Sequence, residues 1–153
     1  MSEPERPGAL APLDVLIGEW SVEARFPGAA EGTGPGARAT FEWTLGRYLV
    51  QRTYVPVPDA PDALCVVFPD PESGGYVQHY YDSRGVVRRY AMSLDGGVWR
   101  LLRDAPDFSP LDFAQRFTGT ISDDGATIDG AWEKSTDGTS WAFDLGLTYR
   151  RIG

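Results

Sequence analysis

The chain holds one histidine, His79, inside the stretch Gly75 to Tyr90, GYVQHYYDSRGVVRRY. Tyr80, Tyr81 and Tyr90, the carboxylate of Asp82 and the guanidinium groups of Arg84, Arg88 and Arg89 lie within a hairpin's length of it. An imidazole beside phenols can move a proton, and nearby arginines can hold an oxyanion. That is the minimum set for a small isomerase or cyclase, with His79, Tyr81 and Tyr90 as its catalytic groups. The same residue types also make a ligand-pocket wall or the polar face of an ordinary hairpin, and a single strand histidine is more often hydrogen-bonded structure than catalyst. The sequence has no paired-carboxylate motif, Ser-His-Asp order, Gly-rich phosphate loop or Cys-His motif.

The remaining composition narrows the classes. Cys65 is the only cysteine, so there is no internal disulfide, and it reads as a small buried apolar residue. One Cys and one His offer no metal-ligand spacing, so no metal site is expected. The formal charge of −8 repels phosphate backbones and anionic membranes, so neither nucleic acid nor membrane is expected as a partner. The opening MSEPERPGALAPLDVLIG lacks a basic segment followed by a long apolar run, and the expected location is cytoplasmic. At 153 residues the chain reads as one domain, 1–153, with a flexible start at 1–9, as a monomer or homodimer. Five Trp, seven Tyr and seven Phe supply a large core or a pocket wall.

Elements that place these groups follow from alternation. WSVEARF puts Trp20, Val22, Ala24 and Phe26 on one face, and ARATFEWTL does the same with Ala39, Phe41, Trp43 and Leu45. Eight further alternating runs follow: Tyr48–Val55, Ala63–Phe68, Tyr76–Asp82, Val86–Leu94, Val98–Arg103, Gln115–Ile121, Thr127–Lys134 and Ser140–Arg150. Only ALAPLDVLI has a helical look, as one or two turns. About ten strands without a long helix must protect their edges, and closure into an all-β, antiparallel up-and-down barrel does so while enclosing a cavity. A two-sheet sandwich with a filled core is the rival.

Turn chemistry then suggests which side chains enter the cavity. Closing hairpins at Asp124-Gly125 and Asp137-Gly138 sets Phe117, Trp132 and Phe143 side by side. A Gly46-Arg47 turn opposes Phe41 to Arg52 and Trp43 to Val50, with Tyr54 on the same face as Arg52. An Asp95-Gly96 turn opposes Met92 to Trp99 and Arg88 to Arg103. An Arg84-Gly85 turn brings His79, Tyr81, Arg88 and Tyr90 inside. A three-residue Ser-Arg-Gly loop instead sends His79 out and admits Gln78 and Tyr80. Arginines drawn into a cavity need partners, which an acidic or phenolic ligand would supply; at the rim they would reach water instead. The segment Asp104 to Phe113 is a crossing loop or a lid over the mouth.

The motif Gly18-Glu19-Trp20 after a short helical turn, with Arg150 and Arg151 ending the last run, resembles the calycin superfamily of lipocalins and fatty-acid-binding proteins. FEWTLGRYLVQRTY and DPESGGYVQHYYDS resemble small bacterial lipocalin-like proteins of no established activity. The resemblance implies a barrel whose base is formed by Gly18, Trp20 and Arg150 or Arg151, indole beneath guanidinium. Two better-understood calycin patterns are not met. The C-terminal histidine that ligates haem in nitrobindin-like barrels is missing, and Thr148-Tyr149-Arg150 stands where fatty-acid-binding proteins carry Arg-x-Tyr. No cofactor is therefore expected. The expected function is binding of a small hydrophobic or amphipathic molecule, with Phe41, Trp43, Arg52, Tyr54, His79, Tyr81, Arg88, Tyr90, Met92, Arg103, Phe117, Trp132 and Phe143 around it. The alternatives are the isomerase or cyclase and a protein-interaction module without a ligand.

Overall fold

The computed structural model describes residues 8–27, 36–56 and 60–152. The expected flexible start falls mostly outside this range; of it, Gly8 and Ala9 already belong to a 3-10 helix, Gly8–Leu16. Ten strands follow: β1 (Gly18–Arg25), β2 (Ala37–Thr44), β3 (Tyr48–Tyr54), β4 (Ala63–Pro69), β5 (Tyr76–Asp82), β6 (Val87–Asp95), β7 (Val98–Arg103), β8 (Ala114–Ile121), β9 (Thr127–Ser135) and β10 (Ala142–Arg151). Every strand pairs antiparallel with its sequence neighbours, and β1 closes on β10. The result is a closed up-and-down barrel in which each of the ten described strands is paired on both sides. Among the described residues no helix is long and apolar enough to cross a membrane.

One end of the barrel is plugged. Leu10, Leu13 and Leu16 of the 3-10 helix are fully buried against Trp20 and the strands. The Tyr76 hydroxyl donates to the Ala9 carbonyl and the Trp43 indole N–H to the Asp14 carboxylate, which ties the helix across the opening. Trp20 donates its indole N–H to the Leu16 carbonyl at 2.9 Å. Arg151 lies over the Trp20 ring, its Cζ 4.2 Å from the centroid. The same guanidinium donates to the carbonyls of Val15, Ile17 and Gly125. Arg151 is thus the arginine that covers Trp20; Arg150 is exposed. Gly18 begins β1 at φ 132°, which favours glycine.

Register decides what faces inward. β8 and β9 pair as their sequence suggests, Ile121 opposite Ile128 and Phe117 opposite Trp132. Four other turns differ. Between β5 and β6 the loop has three residues, Ser83-Arg84-Gly85, closed by the Asp82 N–H to the Val86 carbonyl. Asp82 Oδ1 accepts the Arg84 and Val86 N–H groups, and Gly85 takes the left-handed position at φ 87°. A two-residue Arg84-Gly85 turn would force a left-handed arginine, so the longer loop wins. Gln78 then opposes Tyr90 and His79 opposes Arg89. Between β2 and β3 the left-handed pair is Leu45-Gly46, so Gln51 opposes Phe41 and Arg52 opposes Thr40. Between β6 and β7 the left-handed pair is Gly96-Gly97; Met92 opposes Leu101, and the two-residue shift keeps the inward face. Between β9 and β10, Asp137 gathers the N–H groups of Thr139 and Ser140 into a longer loop. A register break between Phe143 and Leu145 then places Leu145, not Phe143, opposite Trp132.

Candidate functional site: a cavity above the plugged base

A cavity of about 450 Å³ occupies the barrel between the aromatic floor and the end opposite the helix. Its floor is Trp99, packed against Phe41, Phe117 and Tyr149 with centroid separations of 6.0, 4.9 and 5.9 Å. Phe117 has room because β8 and β9 place Gly119 opposite Gly130 beside its ring. The walls are Val22, Leu101, Trp132 and Leu147, and Phe26, Pro61 and Leu145 stand toward the open end. Such a surface suits an apolar, flat body.

The polar groups are few and mostly neutral. Tyr90 donates to Gln115 Oε1 at 2.9 Å, and Arg88 Nη1 donates to the same oxygen at 3.1 Å. Gln51 and Gln78 are buried in the wall with Cys65. Burial holds the Tyr80, Tyr90 and Tyr149 phenols above their usual range and pushes the Cys65 thiol up to about 12. At neutral pH these groups are therefore uncharged, and Cys65 is not a thiolate. Tyr80 is further held by donation to Asp82 Oδ2, which also takes Arg84.

Arg88 is the exception. It lines the cavity, and its polar contact is the neutral Gln115. The ring of Phe113 lies 5.9 Å from its Cζ. The lining carboxylate, Asp144, pairs with Lys134, and the other lining arginine, Arg84, pairs with Asp82. Among the described residues Arg88 has no carboxylate partner.

Of the residues expected in the cavity, Arg88, Tyr90, Phe117 and Trp132 line it. Phe41 and Met92 are buried in the core beneath. Trp43 is spent on Asp14 and the helix rather than on the cavity. Arg103 faces inward and is buried, but in a two-point ion pair with Asp107, both bonds 2.9 Å, and does not line the cavity. The remaining expected residues turn outward. Arg52 pairs with Glu42 on the outer face. Tyr54 and Phe143 are half-exposed. His79 sits outside between Phe68 and Phe108, at 5.3 and 5.7 Å, with Tyr81 Oη 3.5 Å from its Nδ1. Burial, and then the charge of Arg89, lowers the His79 pKa. The three-residue loop at 83–85 accounts for both His79 and Tyr81. An imidazole donor for a cavity-bound haem is therefore not available, because the only histidine is on the wrong face. Asp104 to Phe113 is a pinned crossing: Asp107 holds Arg103 and the Arg89 N–H, and Ser109 Oγ donates to the Val87 carbonyl.

Comparison with known proteins agrees with this architecture. No family model matches the chain, and no curated protein matches it. The crystal structure of Rv2717c from M. tuberculosis superposes with a TM-score of 0.61 at 18% identity, over 97% of this chain and 100% of that one. The shared feature is the barrel fold. At that identity the likeness carries no activity across.

Gln78 and Tyr80 line the cavity as the three-residue Ser83-Arg84-Gly85 alternative requires. Sequence reasoning misses Gln51, Gln115 and Tyr149; Gln115 and Tyr149 are legible, since they alternate with Phe117 and Leu147 along their strands, whereas Gln51 needs the correct loop length between β2 and β3. Trp99 faces inward as the alternation of its strand predicts, and forms the floor.

Proposed function

We propose that the chain binds a small, mainly apolar molecule carrying an acidic or phenolic group, in the manner of a calycin, inside the barrel. The observation that carries this reading is Arg88: a cation on an aromatic-walled cavity whose polar contact is a neutral amide. A carboxylate or phenolate would take its free N–H groups with planar, charge-assisted hydrogen bonds. Trp132, Phe117 and Leu147 would hold the apolar body. A cavity of about 450 Å³ is equal to roughly fifteen waters at about 30 Å³ each, which suits a ligand of one to three rings. The isomerase or cyclase reading has less support, because His79 and Tyr81 stand on the outer face, apart from Tyr90.

The test compares 2-naphthoate with its neutral analogue 2-naphthamide by calorimetry in wild type, Arg88→Met and Arg52→Met. A hydrogen-bonded charge contributes about 1.5–3 kcal/mol, or roughly 10- to 100-fold in affinity. The acid should bind tighter by that factor in wild type and in Arg52→Met, and the preference should collapse in Arg88→Met. Equal binding of acid and amide by wild type would remove the anionic-ligand reading.

A further inference from the structure

Two side chains of the cavity lining each carry a polar atom that no protein group satisfies. Gln78 is 3% exposed and its Oε1 has no hydrogen-bond partner in the protein. Trp99 is 2% exposed and its Nε1 likewise has none. Both residues line the cavity. Among the described residues these are the only buried side-chain atoms in that state. The other buried polar side chains nearby are matched: Tyr90 with Gln115, Arg103 with Asp107, Tyr80 with Asp82. Leaving a buried amide or indole N–H unmatched is costly, and an alkyl or phenyl side chain of similar volume would fill either position without that cost.

Building on the proposed binding of an acid at Arg88, we infer that the ligand carries a second polar group on its inner half, a hydroxyl or amide that both donates and accepts, so that the class is hydroxylated or amide-bearing aromatic acids rather than plain alkanoic acids. The unmatched atom of Gln78 is an acceptor and that of Trp99 a donor, and the two together call for both capacities. The Gln78 amide is held by no hydrogen bond, so rotation about its terminal torsion can turn its carbonyl toward the ligand. Arg88, Gln78 and Trp99 stand at successive depths. Gln78 opposes Tyr90, two residues farther from the open end than Arg88, which is about 7 Å along the strand. Trp99 lies deeper, opposite Leu94. Between the two polar levels the wall is Phe117, Trp132 and Leu101, which favours a flat aromatic spacer.

The experiment titrates 2-naphthoate and 6-hydroxy-2-naphthoate into wild type, Gln78→Met and Trp99→Phe. A site built to receive a hydroxyl discriminates strongly against its absence. The hydroxyl should tighten binding to wild type about tenfold, and each substitution should cut that gain to about twofold or less. No gain in wild type, or a gain that persists in both variants, overturns the inference. The acid-to-amide ratio of the unsubstituted naphthyl pair is read separately; its loss sinks the Arg88 reading alone. If no naphthyl compound binds at all, both fall. The apo protein provides a second measurement: Gln78→Met should raise the thermal midpoint, because an unmatched amide is removed. A lowered midpoint would mean that Gln78 serves the fold, and would also overturn the inference.

Discussion

Removing the indole at the barrel base, Trp20→Ala, measures what the plug contributes. Trp20 is fully buried, meets Tyr149 edge-on at 6.5 Å, and donates to the Leu16 carbonyl. Truncating a buried Trp to Ala costs about 3–5 kcal/mol through lost transfer energy and the cavity left behind. Loss of the ring under Arg151 adds about 0.5–2 kcal/mol. The guanidinium keeps its three carbonyl acceptors, so no charge is orphaned and the sum stays near 5 kcal/mol. That is a large part of the roughly 5–15 kcal/mol by which a domain is stable. At about 3 °C per kcal/mol for this chain length, the midpoint should fall by about 15 °C. Urea unfolding followed by far-ultraviolet circular dichroism gives the value, with Phe143→Ala as the half-exposed control expected to lose less than about 1 kcal/mol. Should Trp20→Ala fail to fold, Trp20→Phe crossed with Arg151→Met isolates the stacking term, with a coupling of about 0.5–1.5 kcal/mol. A loss below about 1 kcal/mol in Trp20→Ala, or no coupling in that cycle, would refute the description of the base.

Two further outcomes follow from buried geometry. Asp107→Asn should cost about 3–5 kcal/mol at pH 7, because it leaves Arg103 buried without its anion. Hydrogen bonding to Arg103 holds the Asp107 carboxyl well below the ordinary range, so this contribution is complete above the unfolded value near 4. It drains as pH falls toward the folded value, and the gap between wild type and variant in urea melts should shrink between pH 4 and pH 2. A gap independent of pH would sink that account. Gly130→Ala would set a methyl 2.5 Å from Phe117 Cζ and 2.6 Å from its Cε2. The ring must move into the cavity, at a cost of about 1–3 kcal/mol and with weaker naphthoate binding. Unchanged stability together with unchanged affinity would show that Phe117 does not wall the site.

The barrel was legible because alternation sets each strand's faces independently of its partner. Trp20, Val22 and Ala24, or Arg88, Tyr90 and Met92, face inward whatever the neighbour's register. The cavity's polar content was less legible, because it depends on loop lengths, where one residue reverses a face. The sequence 83–85 is compatible with a two-residue or a three-residue loop, and the choice rests on the Asp82 carboxylate bonding backbone N–H groups at 84 and 86. No alternation pattern reports that bond. Leu45 in a left-handed conformation, at φ 53°, is a similar case, since propensity argues against it. The shift at 95–97 was harmless because two residues preserve the face, whereas the break at Phe143 exposed an aromatic that period-two reasoning had placed inside.

The three arginines that drew attention in the sequence reach three different electrostatic solutions, and the contrast is what isolates Arg88. Arg52 avoids burial by pairing with Glu42 on the outer face, where such a pair contributes little. Arg103 accepts burial and is neutralised by a two-point bond to Asp107, backed by the Ser109 and Pro110 carbonyls. Arg88 does neither. It is partly buried, it shares one amide oxygen with Tyr90, and most of its N–H groups have no anion to meet. Its position near the open end lets the charged head stay hydrated over an apolar stem, so the resting cost is modest. Water at that head can be exchanged for a carboxylate once an apolar body fills the space above Trp132 and Phe117, and the interaction strengthens as water leaves. Arg88→Met should therefore leave the urea midpoint of the apo protein within the shift expected for about 1 kcal/mol, even as it erases acid selectivity. A large loss of stability would instead class Arg88 with Arg103, as a charge the fold itself needs.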